Sequence, residues 1–342
     1  MKAVIFNRHG GPEVLQYTDV PDPVPAPNEV LIRVRACALN HLDLWVRRGL
    51  PGIEFKFPHI PGSDISGEVA SVGNLVKDVR VGERVVLSPG LSCGHCKECA
   101  AGNDNRCRKY TLFGYQADGG CAEYVVSPPA NVIPIPDSMS FENAAALPVV
   151  FLTAWHMLIT RAQVQPGEDV LVLAAGSGVG SAAIQIAKLA SARVLTTAST
   201  DTKLTKAREL GADELINHKK TDILAEVKRI TGKRGVDVLI EHVGEATWEK
   251  SVLCLAQNGR LVTCGATTGY NGKFDLRYLY SRNLSLLGSF MGSRAELYSV
   301  LRLAAEGKLH AVIDRVMPLS ECARAHELLE NSEQFGKIVL RV

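Results

Sequence analysis

The segment that most constrains the fold of this chain is VLVLAAGSGVGSAAIQIAK, at residues 170–188. An apolar strand enters a glycine-rich turn that opens an amphipathic helix, which is the context in which a glycine motif binds a pyrophosphate. The helix N-terminus supplies free N–H groups and the positive end of the helix dipole. The sequence therefore predicts a dinucleotide site at Gly176, Ser177, Gly178, Val179 and Gly180. A tight turn without a ligand is the alternative.

The two halves of the 342-residue chain have different patterns. Short strands and loops with little helix fill about the first 130 residues, including a polyproline-like connector at 21–27. From about Pro148, apolar strands alternate with amphipathic helices, which indicates βαβ units in a parallel sheet. After Phe290 come two helices and a closing strand, KIVLRV, which could complete either half. The length allows two cores, so we expect an α/β protein of two domains.

Charge and hydropathy exclude several classes of partner. The 38 Lys and Arg residues nearly balance the 36 Asp and Glu residues, so there is no electrostatic basis for binding nucleic acid or a membrane surface. The apolar run before Asn7 is too short for a signal peptide, and no apolar span approaches membrane length. We therefore expect a cytoplasmic protein that acts on a small-molecule substrate.

Four of the nine cysteines lie in one segment, CGHCKECAAGNDNRC. The spacing C-x2-C-x2-C-x7-C lets short loops wrap four thiolates around a zinc ion. An iron–sulfur cluster is the rival, but a ferredoxin-like run has a shorter last gap followed by proline. Four thiolates close the coordination shell, so the predicted zinc is structural. Its ligands are Cys93, Cys96, Cys99 and Cys107, and His95 is expected to be a bystander.

The strand RVLTTAS predicts which dinucleotide binds. An Asp or Glu at its end would hydrogen-bond the ribose of NAD, but Ala198 occupies that place. Ser199, Thr200 and Lys203 can instead hydrogen-bond a 2′-phosphate and balance its charge, which favours NADPH. Lys203 could equally be a solvated lysine at the start of a helix. His218, in the turn after ELIN, is a further candidate for the phosphate.

Several motifs occur in one order along the whole chain: GGPEVL, PGSDISGEVASVG, the four cysteines, LTAWHML and AAGSGVGSAAIQIAK. In that order they resemble the medium-chain dehydrogenase/reductase superfamily, which includes zinc alcohol dehydrogenases and zinc-independent quinone and enoyl reductases. The resemblance implies a GroES-like β-rich catalytic domain at 1–150 and 291–342. It also implies a Rossmann domain with a doubly wound parallel sheet at 151–290, and an active site in the cleft between them. A homodimer or homotetramer is expected from the same resemblance.

The resemblance also implies that one zinc site has been lost. In alcohol dehydrogenases of this superfamily, the catalytic zinc is held by a Cys, a His and a second Cys. The matching positions here are Asn40, Ser63 and Val149, and Asp64 stands where the motif has Glu. An amide and a hydroxyl replace imidazole and thiolate poorly, and valine cannot ligate. Leu42 occupies the place of the hydroxyl that relays protons.

Without a Lewis acid, oxidation of a plain alcohol is difficult, because nothing stabilises the alkoxide. An alkene conjugated to a carbonyl is a better hydride acceptor, since the resulting enolate can be held by hydrogen bonds. The stretch ALNHLD resembles the A-x-N-x-x-D of zinc-independent quinone reductases. It implies that Asn40 orients the substrate carbonyl and that Asp43 supports it, with Ser63 as a secondary candidate. Alternatively, Asn40 and Asp43 cap a helix that begins near Leu42.

The same resemblance implies further contacts with the dinucleotide. His41 faces the pyrophosphate, Thr153 lies against the nicotinamide, and Lys337 returns to the phosphates. The pocket around the nicotinamide is lined by Val243, Cys264, Gly265, Ala266 and Phe290. The proton donor is unassigned; Tyr115, Tyr124 and solvent are the candidates.

Together these observations predict an NADPH-dependent reductase of an activated C=C bond in an enoyl-CoA, an enone or a quinone. Arg47, Arg48 and Lys56 are candidates to hold the phosphates of a CoA thioester. Two alternatives stay open. One is a zinc-dependent alcohol dehydrogenase with unexpected ligands, and the other is a nucleotide-binding protein that has kept the fold without the chemistry.

Overall fold

The computed structural model describes residues 1–342, which form two compact units. One unit combines Met1–Val149 with Ser293–Val342, and the other is Val150–Gly292. These boundaries lie one and two residues from the predicted ones at 150 and 291. None of the helices is long and apolar enough to cross a membrane.

Seventeen strands and eleven α-helices follow one another along the chain. The strands are β1 (Lys2–Ile5), β2 (Gln16–Asp19), β3 (Val30–Ala38), β4 (Asp64–Val72), β5 (Arg84–Leu87), β6 (Gly90–Leu91), β7 (Thr111–Leu112), β8 (Tyr124–Ser127), β9 (Val132–Pro134), β10 (Asp169–Val172), β11 (Arg193–Ala198), β12 (Glu214–Asn217), β13 (Val236–Glu241), β14 (Leu255–Thr263), β15 (Ser285–Gly288), β16 (Ile313–Pro318) and β17 (Lys337–Arg341). The helices are α1 (His41–Arg48), α2 (Lys97–Ala100), α3 (Phe141–Ala145), α4 (Pro148–Trp155), α5 (Gly178–Leu189), α6 (Asp201–Glu209), α7 (Ile223–Ile230), α8 (Trp248–Cys254), α9 (Leu276–Ser281), α10 (Arg294–Ala305) and α11 (Cys322–Glu330). A π-helical segment, His156–Arg161, follows α4.

The first unit is built on a seven-stranded sheet in the order β16-β17-β3-β4-β5-β9, with β8 also paired to β3. The strand β3 shows why the sequence folds this way, because Val30, Ile32 and Val34 are buried while Arg33, between them, is exposed. The closing strand β17 pairs antiparallel with β3, with Leu340 opposite Cys37. The C-terminus of the chain therefore completes the sheet of the first unit, and this brings residues near 337 close to residues near 40.

The second unit is a six-stranded parallel sheet in the order β12-β11-β10-β13-β14-β15. Its central strands carry continuous apolar runs, and Val170, Leu171 and Val172 are fully buried, as expected for a parallel sheet covered on both faces. The strand order reverses between β10 and β13, which is the switch point where doubly wound sheets bind ligands. The predicted α/β fold class is confirmed: a GroES-like β-rich unit and a Rossmann-like parallel sheet.

Candidate functional site

The glycine-rich turn lies at the carboxyl end of β10, beside the switch point. Helix α5 begins at Gly178 with Ser177 as its N-cap, and the Gly180 N–H donates to Ser177 Oγ at 2.8 Å. A Cβ atom on Gly180 would lie 2.3 Å from the carbonyl oxygen of Ala174, so no side chain fits there. This close approach of helix to strand is the role of the last glycine in dinucleotide-binding turns. The sequence predicted these residues, and the turn fits a pyrophosphate at the start of a twelve-residue helix.

A cavity of about 250 Å³ opens at the same edge of the sheet. Its walls come from the ends of the central strands and the turns after them, including Ala174, Thr197, His218 and Val243. In open α/β sheets, ligands bind in the crevice outside the carboxyl ends of the strands. The structure thus brings His218 and Val243, both predicted as cofactor contacts, to one cavity.

The end of β11 carries the residues predicted to select the dinucleotide. Ala198 is buried, and Thr200 caps α6 by accepting the Lys203 N–H at 3.3 Å. The carboxylate of Asp201, the residue after Thr200, is bound by Lys220 at 2.5 Å, which lowers its pKa. Its negative charge is therefore largely balanced. Ser199 is half-buried at the start of this turn.

His242 was missed by the sequence analysis, although it directly follows the buried strand β13. Its Nε2 lies 3.1 Å from Ser177 Oγ in the glycine turn. Because Ser177 Oγ accepts the Gly180 N–H, its hydroxyl proton is free to donate to Nε2. Nδ1 is buried without a protein partner, and burial lowers the pKa of His242, opposed by Glu241. The available signal was its place at the carboxyl end of a central strand.

The remaining predicted cofactor contacts of the second unit differ in how far they are buried. Thr153 is buried and donates to Met291 Sδ at 3.7 Å. Burial raises the pKa of Cys264 to about 12, so its thiol stays neutral. Phe290 is 58% exposed. Gly265 and Ala266 follow Cys264 in the partly exposed loop after β14.

The four cysteines of the first unit converge as the spacing predicts. Their Sγ atoms all lie within 4.8 Å of one another, with Cys99 Sγ at 3.9 Å from Cys93 and 3.5 Å from Cys96. Sulfurs bound at 2.3 Å around a tetrahedral zinc lie roughly 3.8 Å apart. The four side chains therefore fit a zinc ion that fills its shell with thiolates. We call this group the cysteine lobe: Cys93, Cys96, Cys99 and Cys107.

A second polar group of the first unit contains Asn40, Asp64 and Lys337, and we call it the lysine cluster. The Lys337 ammonium donates to Asn40 Oδ1 at 2.5 Å and to Asp64 Oδ2 at 2.8 Å. Asn40 Nδ2 donates to Asp64 Oδ2 at 2.9 Å. Asp64 is completely buried, and Lys337 is 3% exposed. The cluster is thus a desolvated ion pair bridged by an amide.

The three positions that the resemblance matches to ligands of a catalytic zinc do not fit that metal. Asn40 is engaged in the lysine cluster, and Ser63 Oγ donates to the carbonyl oxygen of Phe113 at 2.6 Å. Val149 contributes only its backbone N–H, which donates to Asp64 Oδ1 at 2.8 Å. No imidazole or thiolate replaces the missing ligands at these positions. The hydroxyl proton of Ser63, predicted as a secondary catalytic group, is committed to the backbone.

Asp43 positions two backbone segments beside the lysine cluster. It accepts the Asn40 N–H at 2.7 Å and the Gly62 N–H at 2.9 Å. Burial raises the pKa of Asp43 to about 6, opposed by His326 and by these N–H groups. The alternative in which Asn40 and Asp43 cap a helix is also present, since Asn40 is the N-cap of α1. His41 begins that helix, and its ring packs edge-on against Trp45.

Two predicted phosphate contacts are corrected by the structure. Lys337 was expected to reach the dinucleotide phosphates, but its buried ammonium is held by Asn40 and Asp64. Arg47 was a candidate for CoA phosphates, but its side chain is completely buried. It donates to the Gly10 carbonyl, to Glu330 and to His326 Nδ1.

The other candidates of the first unit lie nearer the surface. Arg48 is half exposed and pairs with Glu330 at 2.7 Å, while Lys56 is exposed. Burial raises the pKa of Tyr115. The Tyr124 hydroxyl accepts a hydrogen bond from Arg33 Nε at 3.2 Å.

Known proteins resemble this chain along its whole length. Two family models match it: an alcohol dehydrogenase GroES-like domain at residues 26–137 and a zinc-binding dehydrogenase at residues 178–306. A quinone oxidoreductase of Homo sapiens is 30% identical and covers 99% of this chain and 97% of its own length. A crotonyl-CoA carboxylase/reductase of Cereibacter sphaeroides is 31% identical and covers 99% of this chain and 86% of its own length. A crystal structure of an NAD-dependent alcohol dehydrogenase is 48% identical, with a TM-score of 0.97 and 100% of both chains covered.

Proposed function

Because the chain belongs to the medium-chain dehydrogenase/reductase superfamily of NAD(P)H-dependent oxidoreductases, we propose that it transfers hydride from NADPH to an activated C=C bond without a catalytic zinc. The acceptor class is an enoyl-CoA, an enone or a quinone. Relatives named quinone oxidoreductase and crotonyl-CoA carboxylase/reductase support this class of acceptor.

The lysine cluster is the observation that carries the proposal. Oxidation of a simple alcohol needs a group that stabilises the developing alkoxide, which a Lewis-acidic metal does well. The positions of this chain that match the zinc ligands offer an amide, a committed hydroxyl and a backbone N–H. Reduction of a conjugated alkene requires only hydrogen bonds to an enolate oxygen. The polar groups present are therefore better suited to the alkene.

Each part of the chain has a definite task in this reaction. The bound dinucleotide supplies hydride. The glycine turn, with Ser177 capping α5, holds the pyrophosphate through backbone N–H groups. Four thiolates would hold a zinc ion that keeps the cysteine lobe folded and leaves no position open for substrate. Asp43 fixes the backbone of Asn40 and Gly62 beside the lysine cluster.

The preference for NADPH rests on the end of β11. Ala198 provides no carboxylate for a ribose diol, and Asp201 is balanced by Lys220. Titration of the protein with NADPH and NADH by calorimetry tests this preference. We expect NADPH to bind about tenfold more tightly, and Lys203→Ala to remove most of the difference. Equal affinities of the wild type for NADPH and NADH would contradict the preference for NADPH and would leave the proposed reaction class unchanged.

The reaction class is tested by a panel of acceptors. The purified protein is mixed with NADPH and, separately, with crotonyl-CoA, a benzoquinone, an enone and a saturated aldehyde, and products are identified by mass. We expect turnover of at least one conjugated acceptor and none of the saturated aldehyde. Cofactor binding without turnover of any acceptor would favour a protein that has kept the fold and lost the chemistry.

An NAD-dependent alcohol dehydrogenase is the second candidate. It is favoured by the 48% identical structure that carries this name. This function predicts turnover of the saturated aldehyde with NADH and two zinc ions in each active chain. Metal analysis of the protein used in the panel separates the two candidates, since the first predicts one zinc per chain.

A further inference from the structure

The hydrogen bonds around Lys337 leave one donor unused. An ammonium group has three N–H donors and no acceptor. Two of them go to Asn40 Oδ1 and Asp64 Oδ2, and the ammonium makes no third hydrogen bond within the protein. The group is 3% exposed, so the third donor is almost removed from water. A buried donor without a partner is costly, which favours a third hydrogen bond from this N–H to an oxygen atom.

Asn40 and Asp64, the two partners of Lys337, use their hydrogen-bonding groups within the protein. Asp64 accepts hydrogen bonds on both oxygens, from Val149 N–H on one and from Asn40 and Lys337 on the other. Asn40 uses its carbonyl for Lys337 and its amide for Asp64 and, at 3.4 Å, for the Ala38 carbonyl. The cluster therefore fixes the ammonium in place and presents a single free donor.

We propose that Lys337 is the fixed cation of the substrate site and that its third N–H donates to the carbonyl oxygen conjugated to the C=C bond. This inference rests on the proposed function. The positions that would hold a metal ion in the zinc-containing branch do not fit one, and the chain supplies a protein cation there. An ammonium held by Asp64 needs no reorganisation when charge develops on the substrate oxygen.

The electrons and atoms balance in this step. Hydride forms a C–H bond at the β-carbon, the alkene π pair shifts to the bond between the α- and carbonyl carbons, and the carbonyl π pair moves to oxygen. The Lys337 N–H stabilises that enolate oxygen and keeps its own proton. A proton from water then adds to the α-carbon and the carbonyl is restored. The acceptor gains one hydride and one proton, and the dinucleotide is oxidised.

Three variants test the role of Lys337 against a purely structural one. Lys337→Met leaves the Asp64 carboxylate buried and unpaired, so it should lower both kcat and the midpoint of thermal unfolding. The double variant Lys337→Met with Asp64→Asn removes both charges and should recover most of the midpoint. Lys337→Arg keeps a cation and should recover part of kcat. The matched control is Lys2→Met, which removes an exposed lysine paired with Asp19 and should change neither quantity.

We expect kcat for the best conjugated acceptor to fall about 10²- to 10³-fold in Lys337→Met and to stay low in the double variant. The dissociation constant of NADPH should change less than about twofold in both. Recovery of kcat together with the midpoint in the double variant would overturn the proposal, because the ion pair would then be structural only. Wild-type kcat in Lys337→Met would also overturn it. A wild type that reduces no conjugated acceptor would instead overturn the proposed function itself.

Discussion

The cysteine lobe and the lysine cluster are two ways of arranging converging polar side chains in the same unit. The lobe draws four thiols from one fifteen-residue segment, and their sulfurs lie within 4.8 Å of one another. The lysine cluster joins Asn40, Asp64 and Lys337 from three distant segments. The lobe is partly exposed, whereas Asp64 is completely buried. The two groups differ most in the signs of the charges that they bring together.

That difference is why we expect a metal ion at the cysteine lobe and none at the lysine cluster. Ionised thiols carry charges of the same sign, so only a cation from outside can hold them together. In the lysine cluster the ammonium of Lys337 balances the carboxylate of Asp64, and Asn40 bridges them. The four thiols thus fit a metal ion, whereas the lysine cluster contains its own cation. Changes that remove charge should affect the two centres differently.

The largest effect is expected from breaking the cysteine lobe. In Cys99→Ser, the zinc shell loses a thiolate, and structural zinc sites contribute on the order of 10 kcal/mol to folding. We expect zinc content to fall from about one per chain to near none and the lobe to lose its order. Metal analysis and limited proteolysis measure this. His95→Ala is the control within the same segment and should keep the metal; loss of zinc there would make His95 a ligand.

Breaking the lysine cluster should have the next largest effect. Asp64→Asn leaves the buried Lys337 ammonium without its counter-charge, so we expect a loss of about 3–5 kcal/mol in the free energy of unfolding. Asp137→Asn is the control, because Asp137 is fully exposed and lies 3.7 Å from Arg84. Denaturant titration compares the two variants. A similar small change in both would mean that the cluster adds no more than a surface pair.

A smaller effect is expected from a change in the glycine turn of the second unit. In Gly180→Ala, the new Cβ would meet the Ala174 carbonyl oxygen at 2.3 Å, so the start of α5 must shift. We expect the dissociation constant of the dinucleotide to rise roughly 10- to 100-fold, as measured by calorimetry. Gly288→Ala meets nothing within 4 Å and should bind as the wild type does. Unchanged binding in Gly180→Ala would remove the turn from the nucleotide site.

The smallest effect concerns the pH dependence of activity. The ionised Asp43 carboxylate accepts both the Asn40 and Gly62 N–H groups, and protonation weakens one of these bonds. Because burial raises the pKa of Asp43 to about 6, kcat/KM should fall as pH decreases through that value, by about tenfold at pH 5. Asp43→Asn should be less active, and its kcat/KM should not fall over this pH range. In Asp78→Asn, at an exposed position, the fall should be kept. A fall that persists in Asp43→Asn would come from the titration of another group.

The features that the sequence predicted correctly are those that depend on contiguous residues. The alternation of strands and helices after Pro148 predicted the parallel sheet, because periodicity reports local burial. The cysteine spacing predicted convergence of four sulfurs, since short loops leave few other arrangements. The glycine turn could be predicted for the same reason, because its strand, turn and helix follow one another directly in the sequence.

The roles of Lys337 and Arg47 could not be predicted in the same way. Lys337 bonds Asp64 across 273 residues, and Arg47 bonds Glu330 across 283. These contacts exist because β17 pairs with β3 and α11 packs near α1, which no local pattern specifies. Both residues were therefore predicted to contact phosphates, although both side chains are buried with protein partners. His242 was missed because a single histidine after a strand has no distinctive spacing.

The most direct test of the account is the fate of hydride on one substrate that offers both reactions. Crotonaldehyde contains a C=C bond conjugated to an aldehyde, and NADPH deuterated at C4 marks the carbon that receives the hydride. After incubation with the wild-type protein, the product is analysed by NMR. We expect butanal with deuterium on the β-carbon, as the proposed function requires. Crotyl alcohol with deuterium on the former carbonyl carbon would contradict it, and would show that the chain reduces carbonyl groups as an alcohol dehydrogenase does.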